Sequence, residues 1–133
     1  MNDVKSIARI AHDHGALLLV DAAQSVPHMP VNVRDLECDL LVFSGHKLLG
    51  PTGIGCLYIR EGVEAELDPP FGGGEMISHV ELDGYRLNEM PWRLEPGTPN
   101  IAGAIGLAAA VRYLRAIGLD VICLLYTSDA ADE

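Results

Sequence analysis

Positive charge is scarce in this chain: nine lysines and arginines stand against 19 aspartates and glutamates, for a formal net charge of −10 over 133 residues. No basic block or arginine stripe appears, which argues against a nucleic-acid-binding surface. No apolar run approaches the roughly 20 residues that a spanning helix needs, and the N-terminus lacks a basic segment followed by a signal-like core. A soluble, cytoplasmic protein with no membrane contact is expected. Cysteines number only three, Cys38, Cys56 and Cys123. Without CxxC or Cys/His spacing they predict neither a disulfide framework nor a metal site. Internal repeats and an interdomain linker are also missing.

What is present reads as α/β. Apolar residues make up 49% of the chain and aromatics 5%, a balance that supports a packed core. Val4, Ile7, Ala8, Ile10 and Ala11 fall at helical spacing, and His14-Gly15 supplies a glycine stop. Ala16 to Ala22 is an apolar run broken only at Asp21, the pattern of a parallel strand covered on both faces. After a loop with Pro27 and Pro30 and a helical turn near Val33 to Glu37, Asp39 to Ser44 repeats that pattern. Gly55 to Arg60 forms a third strand. Residues 69–98, with Pro69-Pro70, Gly72-Gly73-Gly74, Pro91 and Pro96, read as a long irregular loop of binding or subunit-contact type. Thr98-Pro99 reads as an N-cap and first helical residue. The helix it opens runs to about Ile117 and stops at Gly118, with Ile101, Ile105, Leu107, Ala108, Val111, Leu114 and Ile117 as its packing surface.

Two polar side chains fall at the carboxyl ends of predicted strands, where open α/β sheets bind ligands. They are Asp21, in Asp21-Ala22-Ala23-Gln24, and Lys47, in Ser44-Gly45-His46-Lys47-Leu48-Leu49-Gly50-Pro51-Thr52-Gly53-Ile54-Gly55. A lysine amine that forms a Schiff base and a carboxylate that keeps a ring nitrogen protonated are the pair pyridoxal phosphate requires. Ser44, His46 and nearby glycine amides suit its phosphate. Taken alone, Lys47 reads as a surface lysine, and Asp21 equally as a strand-ending turn residue; the motif around Lys47 reverses the first reading. His12, His14, His28 and His79 read as ordinary loop histidines. Cys38 and Cys56 read as small buried hydrophobes rather than nucleophiles, and Gly72-Gly73-Gly74 as a flexible turn without a ligand.

These motifs, with Cys38-Asp39, Gly72-Gly73-Gly74-Glu75-Met76-Ile77 and Pro91-Trp92-Arg93-Leu94-Glu95-Pro96-Gly97-Thr98-Pro99-Asn100, resemble the class V aminotransferase family over roughly residues 2–122. Within it they are most similar to SUF-type cysteine desulfurases, with selenocysteine lyases close by. The resemblance implies part of the large domain of a fold-type I pyridoxal-phosphate transferase, with a mostly parallel central sheet flanked by helices.

Carried over position by position, the resemblance implies that Lys47 binds the cofactor covalently and shuttles the proton. Asp21 would pair with the ring nitrogen and Gln24 with the ring hydroxyl. Ser44 and His46 would hold the phosphate, and Thr98 would reach the phosphate of the neighbouring subunit in a homodimer, with 69–98 at the interface. The implied reaction takes L-cysteine to L-alanine, leaving an enzyme persulfide for a sulfur-acceptor protein serving iron-sulfur cluster assembly. A selenocysteine lyase, another class V enzyme such as an epimerase-like protein, and a non-catalytic module or truncation product are the alternatives.

In this family the nucleophilic cysteine and the carboxylate-binding arginine lie beyond residue 122, and the ring-stacking histidine and part of the phosphate loop lie upstream. Residues 1–122 therefore read as an interior piece, about a third of an enzyme and inactive alone. Residues 123–133 read as a non-native tail derived from a sequencing adapter. Removing Asp129, Asp132 and Glu133 from the count takes the charge from −10 to −7.

Overall fold

A computed structural model describes residues 2–129, which cluster into two compact units. One runs to Arg60 and resumes at Ala102; the other is Glu61–Ile101.

The first unit opens with helix α1, Val4–Asp13. Asp3 caps it by accepting the Ser6 amide at 3.1 Å and the Ser6 hydroxyl at 2.7 Å, which satisfies one of the helix's orphan donors. The chain leaves through Gly15 at φ +68, a left-handed conformation that glycine adopts without a Cβ clash. Strand β1, Leu19–Asp21, pairs in parallel with β2, Leu40–Ser44. Strand β3, Gly55–Ile59, pairs antiparallel with β2. The sheet order is β1-β2-β3, so the part of the sheet carried here has one parallel and one antiparallel pairing.

Strand β1 is shorter than the apolar run that predicted it, and Asp39 supplies the reason. Its carboxylate takes the Leu18 amide at 2.7 Å, while the Leu18 carbonyl accepts the amides of both Asp39 and Leu40 at 3.1 Å. Regular pairing therefore starts only at Leu19. Helix α2, Val33–Leu36, is the turn expected there, capped by Asn32. Ala22, Cys38 and Leu41 are the buried centre against which Val20, Val26, Val33, Leu36 and Phe43 pack.

Helix α3, Ile101–Ile117, begins two residues later than Thr98-Pro99 predicted, with Asn100 in the preceding position. Asparagine caps as well as threonine, and the Pro99 carbonyl is already taken by the Ile101 amide at 2.8 Å. Its buried stripe is Gly103, Leu107, Ala110 and Leu114, so of the expected packing surface Leu107 and Leu114 are buried, joined by Gly103 and Ala110. Ile101, Ile105 and Ile117 are exposed in this chain. Small residues in the stripe let the helix approach its neighbours closely. Gly118, at φ +96, ends α3 as expected, and α4, Leu119–Asp129, follows. That helix continues across the start of the segment expected to be a non-native tail, and residues 130–133 lie outside those described.

In the second unit the segment expected to be irregular holds a hairpin, β4 (Ile77–Val80) against β5 (Tyr85–Leu87). Asp83-Gly84 lies in its turn, and the Glu81 amide donates to the Gly84 carbonyl at 2.8 Å. Asp-Gly between apolar runs is a strong short-range hairpin signal, overshadowed here by the surrounding prolines and glycines. Met76, just before β4, is buried, and its carbonyl accepts the Asn88 amide at 2.7 Å.

Candidate functional site

Strand β2 ends at Ser44 and passes directly into a 3₁₀ turn, Gly45–Leu48, that carries His46 and Lys47. The turn is closed from both sides. The Gly45 amide donates to the Ile54 carbonyl at 2.8 Å, and the Gly50 amide donates to the Gly45 carbonyl at 3.0 Å. Leu49 turns the chain in a left-handed conformation, φ 59.

Glycine is required here for space. A Cβ on Gly45 would sit 2.9 Å from the Ile54 carbonyl oxygen, and one on Gly50 would sit 2.7 Å from the Gly45 carbonyl oxygen. Both would also press on Leu107 Cδ1, at 3.4 and 3.1 Å. Leu107 is buried, so the lysine turn is packed down on α3 while Lys47 and His46 remain exposed.

Ser44 Oγ and His46 Nδ1 lie 2.8 Å apart, a hydrogen bond whose direction follows the histidine tautomer. On the adjacent parallel strand Asp21 is paired with Val42, two residues before Ser44. Its Oδ1 accepts the Ala23 amide at 2.9 Å, which sets the turn leading to Gln24. The structure thus brings Asp21, Ser44, His46 and Lys47 to one carboxyl edge of β1 and β2, with Gln24 in the turn beyond. Thr98 is carried by the second unit, just before α3. A cleft of about 570 Å³ beside Asp21 is lined by Val20, Ser25, Met29 and Leu36 but by none of Ser44, His46 or Lys47. It is therefore separate from the lysine turn.

The opposite end of the sheet holds a group that sequence reasoning missed. Asp39 is fully buried. Its Oδ1 accepts Arg60 Nη2 at 2.6 Å and Nε at 2.9 Å, and its Oδ2 lies 2.9 Å from His12 Nε2. Burial alone would push the carboxyl up, but the Leu18 amide, His12 and Arg60 outweigh it and lower it to about 2. His12 is therefore no ordinary loop histidine; it ties α1 to the residue that leads into β2. Charge at the head of an otherwise apolar strand was the available signal.

Cys38 is buried as expected, whereas Cys56 is exposed because β3 is an edge strand in this chain. Burial raises the Cys38 thiol, with the Asp39 charge adding to the effect, and partial desolvation by its neighbours raises that of Cys56. That is the reverse of an activated nucleophile. Among the described residues no group of His, Cys, Asp and Glu has the arrangement to hold a metal ion. None of their helices is long and apolar enough to cross a membrane.

Known proteins share this architecture. A protein of Halalkalibacterium halodurans named "Probable cysteine desulfurase" is 55% identical over 122 residues, 92% of this chain and 30% of its own length. The solved apo structure of a cysteine desulfurase from Thermococcus onnurineus is 57% identical and superposes with a TM-score of 0.82 over 88% of this chain and 30% of that one. A second solved structure, 29% identical with a TM-score of 0.75 over 86% of this chain and 31% of its own, has glycine covalently linked to its pyridoxal phosphate. The α/β fold is thus part of the fold-type I architecture of these enzymes, and the chain spans about 30% of the length of the curated relatives it matches. Residues 1–124 match the family model described as aminotransferase class-V, and the chain belongs to that family.

Proposed function

We propose that these residues form part of the cofactor-binding half of a pyridoxal-phosphate-dependent cysteine desulfurase. One observation carries the reading: Asp21 and the Ser44-His46-Lys47 group stand at the same edge of two hydrogen-bonded parallel strands. The donor set fits the cofactor's chemistry. An exposed amine suits its aldehyde, a hydroxyl bonded to an imidazole suits its phosphate, and a carboxylate suits its basic ring nitrogen.

When bound, pyridoxal phosphate supplies an electron sink for the substrate's α-carbon. The chain's own residues do the rest. Lys47 holds the cofactor through Nζ, and the same amine removes and returns the α-proton. Asp21 keeps the ring nitrogen protonated, and Gln24 orients the ring through its hydroxyl. Ser44 and His46 hold the phosphate, whose two negative charges favour charge-assisted hydrogen bonds. Thr98 reaches across a homodimer to the phosphate of the neighbouring subunit, with residues 69–98 at the interface.

The sulfur of L-cysteine leaves to a cysteine elsewhere in the full-length protein, and alanine is released. The resulting persulfide goes to an acceptor protein for iron-sulfur cluster assembly. We place this activity in the cytoplasm.

The test uses the full-length protein loaded with pyridoxal phosphate and given L-cysteine or L-selenocysteine. Equal yields of alanine and persulfide, with cysteine turned over at least as fast, are expected. Turnover of selenocysteine alone would move the assignment to a selenocysteine lyase, and no alanine from either would reject it.

A further inference from the structure

Of the three consecutive glycines 72–74, only the middle one lacks room for a side chain. A Cβ on Gly73 would lie 3.0 Å from Pro96 Cβ, 3.3 Å from the Gly97 nitrogen and 3.4 Å from the Pro96 carbonyl carbon, whereas one on Gly72 or Gly74 would meet nothing within 4 Å. Next to that contact the Gly97 amide donates to the Gly74 carbonyl at 2.9 Å. Gly97 itself sits at φ +86, so the bend is sharp and its direction is set by backbone groups. The two flanks are tied as well. Arg93 Nη2 donates to the Leu67 carbonyl at 2.9 Å, and Asn88 Nδ2 donates to the Glu75 carbonyl at 2.9 Å. Every one of these groups lies within the second unit.

We propose that the Gly73-Gly74 backbone is a brace that fixes the Pro96-Gly97-Thr98 bend, which makes Gly73 a positioning residue for the Thr98 hydroxyl. The proposal rests on the reading of Thr98 as a phosphate ligand across the homodimer. Contacts of 3.0–3.4 Å are tighter than nine in ten real Cβ contacts, so a methyl group at position 73 requires Pro96 and Gly97 to give by a few tenths of an ångström. Thr98 is the next residue. A hydroxyl donating to a phosphate oxygen works over a window of only a few tenths of an ångström, so the displacement acts directly on that bond.

The full-length apoprotein tests this by titration with pyridoxal phosphate and, separately, with pyridoxal, which lacks the phosphate. Thr98→Ala and Gly73→Ala are each expected to weaken pyridoxal phosphate roughly tenfold, the scale of one hydrogen bond to a charged group. The double variant is expected to bind no worse than the weaker single one, and Gly72→Ala as tightly as the unaltered protein. Pyridoxal is expected to bind all of them alike. If Thr98→Ala leaves pyridoxal phosphate affinity unchanged, the reading of Thr98 is wrong. If Thr98→Ala weakens it and Gly73→Ala does not, the brace alone is overturned. Should Gly73→Ala fail to fold, hydrogen exchange at the Gly97 amide of the unaltered protein decides. Slowing on addition of pyridoxal phosphate but not pyridoxal supports the brace, and no slowing rejects it.

Discussion

Gly106 of α3 and Pro51 of the lysine turn approach so closely that a Cβ on the glycine would stand 2.6 Å from the proline Cγ. With Leu107 filling the space under Gly45 and Gly50, this makes α3 the floor on which Lys47 is mounted. Gly106→Ala in the full-length protein forces the turn off its seat. Overpacking of this kind costs roughly 1–3 kcal/mol, so a lower melting temperature and weaker pyridoxal phosphate binding are expected together. An alanine that leaves both unchanged would show that the turn is not held by α3.

The buried Asp39 predicts a pH dependence of known sign. Its carboxyl is lowered from an ordinary 3.8 to about 2, so the folded state binds its proton less readily than the unfolded chain does. The stabilisation is complete above about pH 4 and fades as pH falls toward 2, a loss on the order of 2 kcal/mol. Asp39→Asn leaves Arg60 and His12 without their carboxylate and is expected to destabilise the protein by roughly 2–4 kcal/mol at neutral pH. Denaturant melts at pH 7 and pH 3 check both statements, since the gap between the two proteins should narrow in acid. A gap independent of pH would mean that the charge is not what Asp39 contributes.

Asp21 allows binding and chemistry to be separated. Asp21→Ala removes the partner of the ring nitrogen without touching the turn that carries Lys47. Cofactor incorporation read by absorbance should persist, while alanine formation from L-cysteine should fall roughly 100-fold or more, the scale of losing one preorganised electrostatic group. Normal turnover would reject the assigned role.

Much of the fold is legible in local pattern. The spacing of α1, the turn at α2 and the apolar run of β2 are each short-range signals that the tertiary structure leaves intact. Asp21 and Lys47 at neighbouring strand ends follow from the same runs. Long-range events are less legible. Nothing near His12 announces a carboxylate 27 residues away, and the pairing of Asp39 with Arg60 depends on β2 and β3 lying antiparallel. Apolar spacing alone places Ile101 and Ile105 with Leu107 and Leu114 on one packing surface of α3, whereas the buried stripe keeps the two leucines and adds the small residues Gly103 and Ala110. Gly72-Gly73-Gly74 is the same case. Only the folded chain shows that a side chain would meet a neighbour at the middle glycine and open space at the outer two.

Lys47 is the residue on which the account stands. The full-length protein, loaded with pyridoxal phosphate, reduced with borohydride and digested, should carry a single reduced pyridoxyl group, on the peptide containing Lys47. A reduced adduct on any other lysine, or none at all in protein that has bound the cofactor, would contradict it.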